Sequence, residues 1–161
     1  MQRVSDSKIQ RLSDSTTQQV NQPPINQSPR TNPMSHKTII SSPHIPQVKA
    51  PYSVGVVSGN FVFTAGQIAL HPETMQLVAG GIEAETRQVL ENLKNILEAA
   101  GSSLDNVLKT TVYLRDLADF AQMNAIYAQY FTANYPARTT IQAAALPLGA
   151  LVEIEAVGVI A

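Results

Sequence analysis

A change of hydrophobic period at Ile82 constrains this chain more than any other feature. Ile82, Thr86, Val89, Leu90, Leu93, Ile96, Leu97 and Ala100 recur at steps of three and four, with Glu83, Glu85, Arg87, Glu91, Lys94 and Glu98 between them. That spacing predicts one amphipathic helix of about five turns, with Gly101 as its C-terminal cap. Such a helix needs an apolar surface to lie on. The flanking segments supply one, because their apolar residues run as strands. Ser53 to Val57 and Phe61 to Thr64 flank Ser58-Gly59-Asn60, which tolerates positive φ, so the two runs predict an antiparallel hairpin. Thr38-Ile39-Ile40, ahead of Pro43 and Pro46, suits an edge strand or extended arm. His71-Pro72-Glu73-Thr74 reads as a turn out of the sheet.

After the helix, Val107 to Leu114 is β-branched and predicts a strand. Asp116 or Asp119 then caps a second helix, with Phe120, Met123, Ile126, Tyr127, Tyr130 and Phe131 as its buried stripe. Two closing strands, Arg138 to Ala145 and Leu151 to Ile160, are joined as a hairpin across Leu146-Pro147-Leu148-Gly149. A sheet with both helices on one face, an α+β layer sandwich, is the simplest arrangement of this order. The last strand puts Val152, Ile154 and Ala156 on one face and Leu151, Glu153, Glu155, Val157 and Val159 on the other. Both faces carry apolar residues, so the second is expected to be covered in part by another subunit.

The totals of the 161-residue chain conceal two unlike parts. Residues 1–49 hold six Lys/Arg against two Asp, and residues 50–161 hold five Lys/Arg against ten Asp/Glu, so the charges are +4 and −5. Residues 1–33 are rich in Ser and Gln, lack aromatics and lack periodicity, and are expected to be a disordered polar leader. Met1 to Val20 has no apolar core for a secretory signal. The composition suits a transit peptide apart from Asp6 and Asp14, and Met34 is an alternative start, which leaves 34–161 as a single domain. The chain has no Cys, hence no disulfide framework, thiolate nucleophile or Cys-ligated metal. No run is long enough for a transmembrane helix, and the acidic body is a poor footprint for nucleic acid.

Few residues remain to carry chemistry. His36, His44 and His71 lack metal-ligand spacing, and the eight Gly form neither a phosphate loop nor a dinucleotide fingerprint. Arg138 stands alone between Arg115 and the end of the sequence, behind Tyr135-Pro136, whose stiffness gives it a defined direction. It suits either a bidentate carboxylate ligand or a structural pair with Glu153 or Glu155 across the last hairpin. Glu153 and Glu155 share one strand face, where a carboxylate can order water or point to solvent. Tyr52, after Pro51, is an aromatic wall of a pocket or an edge Tyr.

Four segments resemble the RidA (YjgF-type) family of enamine/imine deaminases: Ala50-Pro51-Tyr52-Ser53, Phe63-Thr64-Ala65-Gly66-Gln67-Ile68, Val107 to Leu114, and Pro136-Ala137-Arg138 followed by Leu146-Pro147 and Val152-Glu153-Ile154-Glu155. The resemblance runs from about Met34 to Ala161 and has no counterpart for the leader. It implies a chorismate-mutase-like layer sandwich with a mixed sheet, a homotrimer with clefts between subunits, and cofactor-independent hydrolysis of 2-iminobutanoate and 2-iminopropanoate to 2-oxo acids and ammonia. It further implies cytoplasmic action, or organellar action if the leader is genuine, beside pyridoxal-phosphate-dependent dehydratases. Carried over, Arg138 binds the substrate carboxylate and Glu153 positions water. Tyr52 lines the cleft with Ala65, Gly66 offers backbone contacts, and Asn124 shapes the rim. Thr140 stands where many members have Cys, and Ala145 where many have a basic residue. A non-enzymatic 2-oxo-acid-binding or regulatory module on the same fold is the alternative. Nuclease activity, attached to some relatives, is opposed by the acidic body.

Overall fold

A computed structural model describes residues 37–47 and 49–160. The expectation for residues 1–33 therefore lies outside the described residues. Strands β1 (Thr38–Ile39), β2 (Gly55–Ser58) and β3 (Phe61–Thr64) precede helix α1 (Gly81–Ala99). Strand β4 (Val107–Leu114), helix α2 (Phe120–Tyr130), β5 (Ala137–Gln142) and β6 (Val152–Val159) follow. The two-residue turn at Gly59-Asn60 closes the β2–β3 hairpin, and Gly59 takes the positive φ of 58° expected there. At the other end of α1, Gly101 has φ 78° and donates to the Glu98 carbonyl, while the Ser102 amide reaches back to Leu97. This is the Schellman closure that glycine at that position permits.

The six strands form one mixed sheet in the order β1-β2-β3-β6-β4-β5. Here the structure departs from the local reading: β5 and β6 are not a hairpin. Strand β6 inserts between β3 and β4, antiparallel to both, while β5 runs parallel to β4 on the outer edge and ends at Gln142 rather than Ala145. The intervening α2 explains this, since a strand returning after a helix pairs parallel to the strand before it.

Both helices pack on one face of the sheet. Val62, Val112, Leu114, Val152 and Ile154 from the strands meet Val89, Leu90, Leu93 and Leu97 of α1 and Met123, Ile126 and Tyr127 of α2. A smaller cluster of Ile40, Ile45 and Ile96 pins the N-terminal arm to α1 beside β2. Each fully buried Leu or Ile in these clusters stabilises the fold by roughly 1.5–3 kcal/mol relative to exposure. Two expectations about the helices need correction. Glu85 is buried rather than solvated, and Phe120 is 38% exposed rather than part of the stripe. The second helix is entered through a 3-10 turn at Leu117–Asp119, capped by Asp116, whose carboxylate accepts from the Ala118 amide at 2.9 Å; Asp119 makes no side-chain cap.

The opposite face of the sheet carries Phe61, Phe63, Tyr113, Ile141, Val157 and Val159 with Glu153 and Glu155. Phe61 and Phe63 are 46% and 43% exposed in the single chain, a contiguous apolar area of the kind that subunit contacts cover.

Candidate functional site

The cavity grows out of a break in the β3–β6 ladder. Phe63 pairs with Val157, and Gln67 next bridges Ile154, so three residues on one side face two on the other. The extra residue makes the chain bulge at Ala65-Gly66. The Thr64 hydroxyl takes over the Ala156 amide at 2.9 Å, and the Ala65 amide turns away to the Val54 carbonyl at 2.9 Å. With no side chain at residue 66, the Glu153 side chain lies directly against that backbone. A Cβ on Gly66 would stand 2.8 Å from Glu153 Cδ and overlap Oε1 outright.

This arrangement walls a cavity of about 280 Å³ with Tyr52, Ala65, Gly66, Gln67 and Glu153, closed by Pro46 of the arm and Pro147 of the β5–β6 connection, among others. Burial pushes the Glu153 carboxyl above the usual carboxylate range, and the neighbouring Glu155 adds to the rise. Glu155 is met instead by the Tyr113 hydroxyl at a long 3.5 Å. Gln67 was not singled out from the sequence as a site residue. It is buried, and its side-chain amide donates to the Ala65 and Gly66 carbonyls at 3.2 and 3.3 Å, bracing the bulge from within. A polar residue directly after a glycine inside an apolar run was the available signal.

Arg138 is elsewhere. Its register partner is Thr110, whose side chain is buried against α2, so Arg138 projects from the helix-bearing face of the sheet while Glu153 projects from the other. With β4 between β5 and β6, the ion pair foreseen across a hairpin does not form. The guanidinium instead lies over the rings of Tyr127, at 4.6 Å, and Phe120, at 5.5 Å. Asn124 sits between those two rings on α2, at the i, i+4, i+7 spacing that defines one helix face. Thr140, two residues beyond Arg138 on the same strand face, has a buried hydroxyl with no hydrogen-bond partner. The predicted residues thus fall into two groups: Tyr52, Ala65, Gly66 and Glu153 around the cavity, and Arg138, Asn124 and Thr140 where the edge strand meets α2. Within one chain the structure does not bring these groups together.

Among the described residues no three His, Cys, Asp or Glu are grouped to hold a metal ion, and no helix is long and apolar enough to cross a membrane.

Residues 42–160 match the protein family described as Endoribonuclease L-PSP. A RutC family protein of Pyrococcus horikoshii is 50% identical over 121 residues, 75% of this chain and 96% of that protein. The human 2-iminobutanoate/2-iminopropanoate deaminase is 46% identical over 123 residues, 76% of this chain and 90% of its own length. Among solved structures, E. coli TdcF with bound serine superposes with a TM-score of 0.73 at 42% identity, covering 76% of this chain and 98% of that one.

Proposed function

Because the chain belongs to the RidA (YjgF-type) family, we propose that it hydrolyses reactive 2-imino and enamine acids, 2-iminobutanoate and 2-iminopropanoate among them, to 2-oxo acids and ammonia. The observation that carries the proposal is the division of the site residues. A carboxylate faces the cavity with no Lys or Arg among the described residues that line it, and a guanidinium is held over two rings. Each group supplies what the other lacks, and a second copy laid on the exposed apolar sheet face is the economical way to unite them. We therefore propose a homotrimer with three clefts, each combining Glu153 and Tyr52 of one copy with Arg138, Asn124 and Thr140 of its neighbour.

In this cleft the Arg138 fork binds the substrate carboxylate through two parallel N–H donors. The free Thr140 hydroxyl hydrogen-bonds the ligand beside it, and Asn124 forms the rim. Tyr52 and the Ala65-Gly66 backbone border the reacting carbon. An iminium carbon is already electrophilic, so the residues need only orient it and deliver water. Glu153 accepts a proton from the attacking water as the C–O bond forms to give a carbinolamine, and passes it to the nitrogen. As the C–N bond breaks, the carbinolamine hydroxyl gives its proton to the same carboxylate, which returns it to the departing ammonia, leaving the 2-oxo acid and ammonium. A Glu whose proton affinity is raised by burial suits that exchange. The serine bound to the 42% identical E. coli TdcF supports a ligand that carries a carboxylate. Pyridoxal-phosphate-dependent dehydratases release such imines, so cytoplasmic action beside them is part of the proposal.

The test generates the imines in situ with a dehydratase or amino-acid oxidase. Arg138→Ala abolishes deamination while light scattering shows an unchanged subunit number, and unchanged turnover would remove Arg138 from the mechanism. Saturable binding of 2-oxobutyrate without rate acceleration would favour a carboxylate-binding module. The family's description supports endoribonuclease activity as a second reading, which the −5 charge of residues 50–161 opposes. Ribonuclease activity lost in Arg138→Ala would restore it.

A further inference from the structure

Two buried polar side chains on α1 interrupt its apolar stripe, and both reach the walls of the cavity. Asn92 is fully buried, and its Nδ2 donates to the Leu70 carbonyl at 2.9 Å and the Ile68 carbonyl at 3.3 Å. Gln88 completes it by donating to Oδ1 at 2.9 Å. Ile68 and Leu70 both line the cavity. Glu85 is only 7% exposed, and its Oε2 accepts from the Leu151 amide at 2.7 Å. Leu151 lies on the stretch from Pro147 to Glu153, and both of those residues also line the cavity. Residues 85 and 92 are seven apart, two helical turns, and so share one side of α1.

Leucine at both positions would continue the stripe without the desolvation that a carboxylate and a carboxamide incur. The polar groups contribute direction instead, because each bonds a backbone group outside the regular strand pairing. We infer that Glu85 and Asn92 are positioning residues. Helix α1 is a rigid calliper that sets the distance between the Ile68–Leu70 wall and the Pro147–Glu153 wall. It thereby fixes the Glu153 carboxylate against Gly66. The inference rests on the reading of this cavity as half of the deaminase cleft.

The experiment compares Glu85→Gln, which keeps an acceptor in place, with Glu85→Leu and Asn92→Leu, which remove the hydrogen bond at similar volume. It records kcat and KM in the coupled imine assay, amide hydrogen exchange, and melting temperature. Glu85→Leu accelerates exchange at the Leu151 amide and lowers kcat by about tenfold or more with a smaller change in KM, because the misplaced group is the one beside the reacting atom. Glu85→Gln stays near the wild type in both. Asn92→Leu does the same through exchange at Gln67 to Leu70. If the Leu variants do not fold, Glu85→Gln decides alone, and a kcat loss in it at an unchanged melting temperature overturns the inference. A freed Leu151 amide with kcat within about twofold of wild type also overturns it. Should the wild type hydrolyse no imine, the proposed function fails by itself. The calliper is then judged by exchange at Gly66 and Gln67: acceleration in Glu85→Leu upholds it and no change overturns it.

Discussion

The guanidinium carbon of Arg138 lies 4.6 Å from the centre of the Tyr127 ring, and no carboxylate of its own sheet stands opposite it. Stacking on a ring occupies the flat face of the group and leaves its N–H edge unspent, so the charge is oriented without being neutralised. A lysine at this place keeps the charge and loses the planar fork. Arg138→Lys is expected to lower kcat/KM for imine hydrolysis about 10- to 100-fold while the melting temperature stays near the wild type, as measured by steady-state kinetics and calorimetry.

The ring under Arg138 has a second attachment, its hydroxyl, which shares a 2.8 Å hydrogen bond with buried Thr110. Tyr127→Phe keeps the π face and leaves the Thr110 hydroxyl without that partner. Chemical denaturation should show a loss of about 1–3 kcal/mol, with KM little altered.

Gly66 lies directly against the Glu153 side chain in the cavity wall. Gly66→Ala would drive a methyl group into the Glu153 carboxylate. The backbone itself can accept alanine, because its φ lies outside the left-handed region. The variant is expected to fold and to lose about tenfold or more in kcat, and an unchanged kcat would detach Glu153 from the chemistry.

Glu153 has a raised proton affinity, caused first by burial and then by Glu155. If its ionised form receives the water proton, kcat rises with pH through a value above the ordinary range for Glu and falls on the acid side. Glu155→Gln removes the like charge and shifts that acid limb to lower pH, and Glu153→Gln abolishes the limb along with most of the rate. A pH–rate profile of the three proteins checks both expectations.

Glu85 is raised in the same direction, again chiefly by burial, against the lowering effects of the Leu151 amide and Arg115. A folded-state value above the unfolded one means that folding takes up a proton. The associated stability is present below the unfolded value and is lost as pH climbs through the folded one. Glu85→Gln has no such loss, so its melting temperature should gain on the wild type as pH rises from acid to neutral, and thermal denaturation across that range measures the difference.

Elements governed by neighbouring residues were legible in the sequence. The period of three and four gave α1, Gly59-Asn60 gave the hairpin and Gly101 the helix end, because each depends on backbone preferences within a few residues. Strand order was not legible, since the position of β6 between β3 and β4 depends on pairings some fifty and ninety residues away that no local pattern records. The same gap placed Arg138 opposite Glu153 across a hairpin that does not exist. Strand alternation did put Glu153 and Glu155 on one face, and the two groups of site residues follow from alternation once the order is known. Glu85 and Asn92 were missed for a different reason. Periodicity locates a helix face, and it is silent on whether a polar residue at the edge of that face finds a backbone partner.

Of the six described strands, the last in chain order, β6, lies in the middle of the sheet. Until β6 emerges from the ribosome, the hairpin of β2 and β3 and the pair of β4 and β5 each present an open edge with nothing to join them, and α1 has no completed floor beneath it. Cooperative folding of the sheet therefore waits for β6. A premature stop between Gln142 and Val152 would leave two separate fragments of sheet, β1-β2-β3 and β4-β5, rather than a smaller version of the same domain.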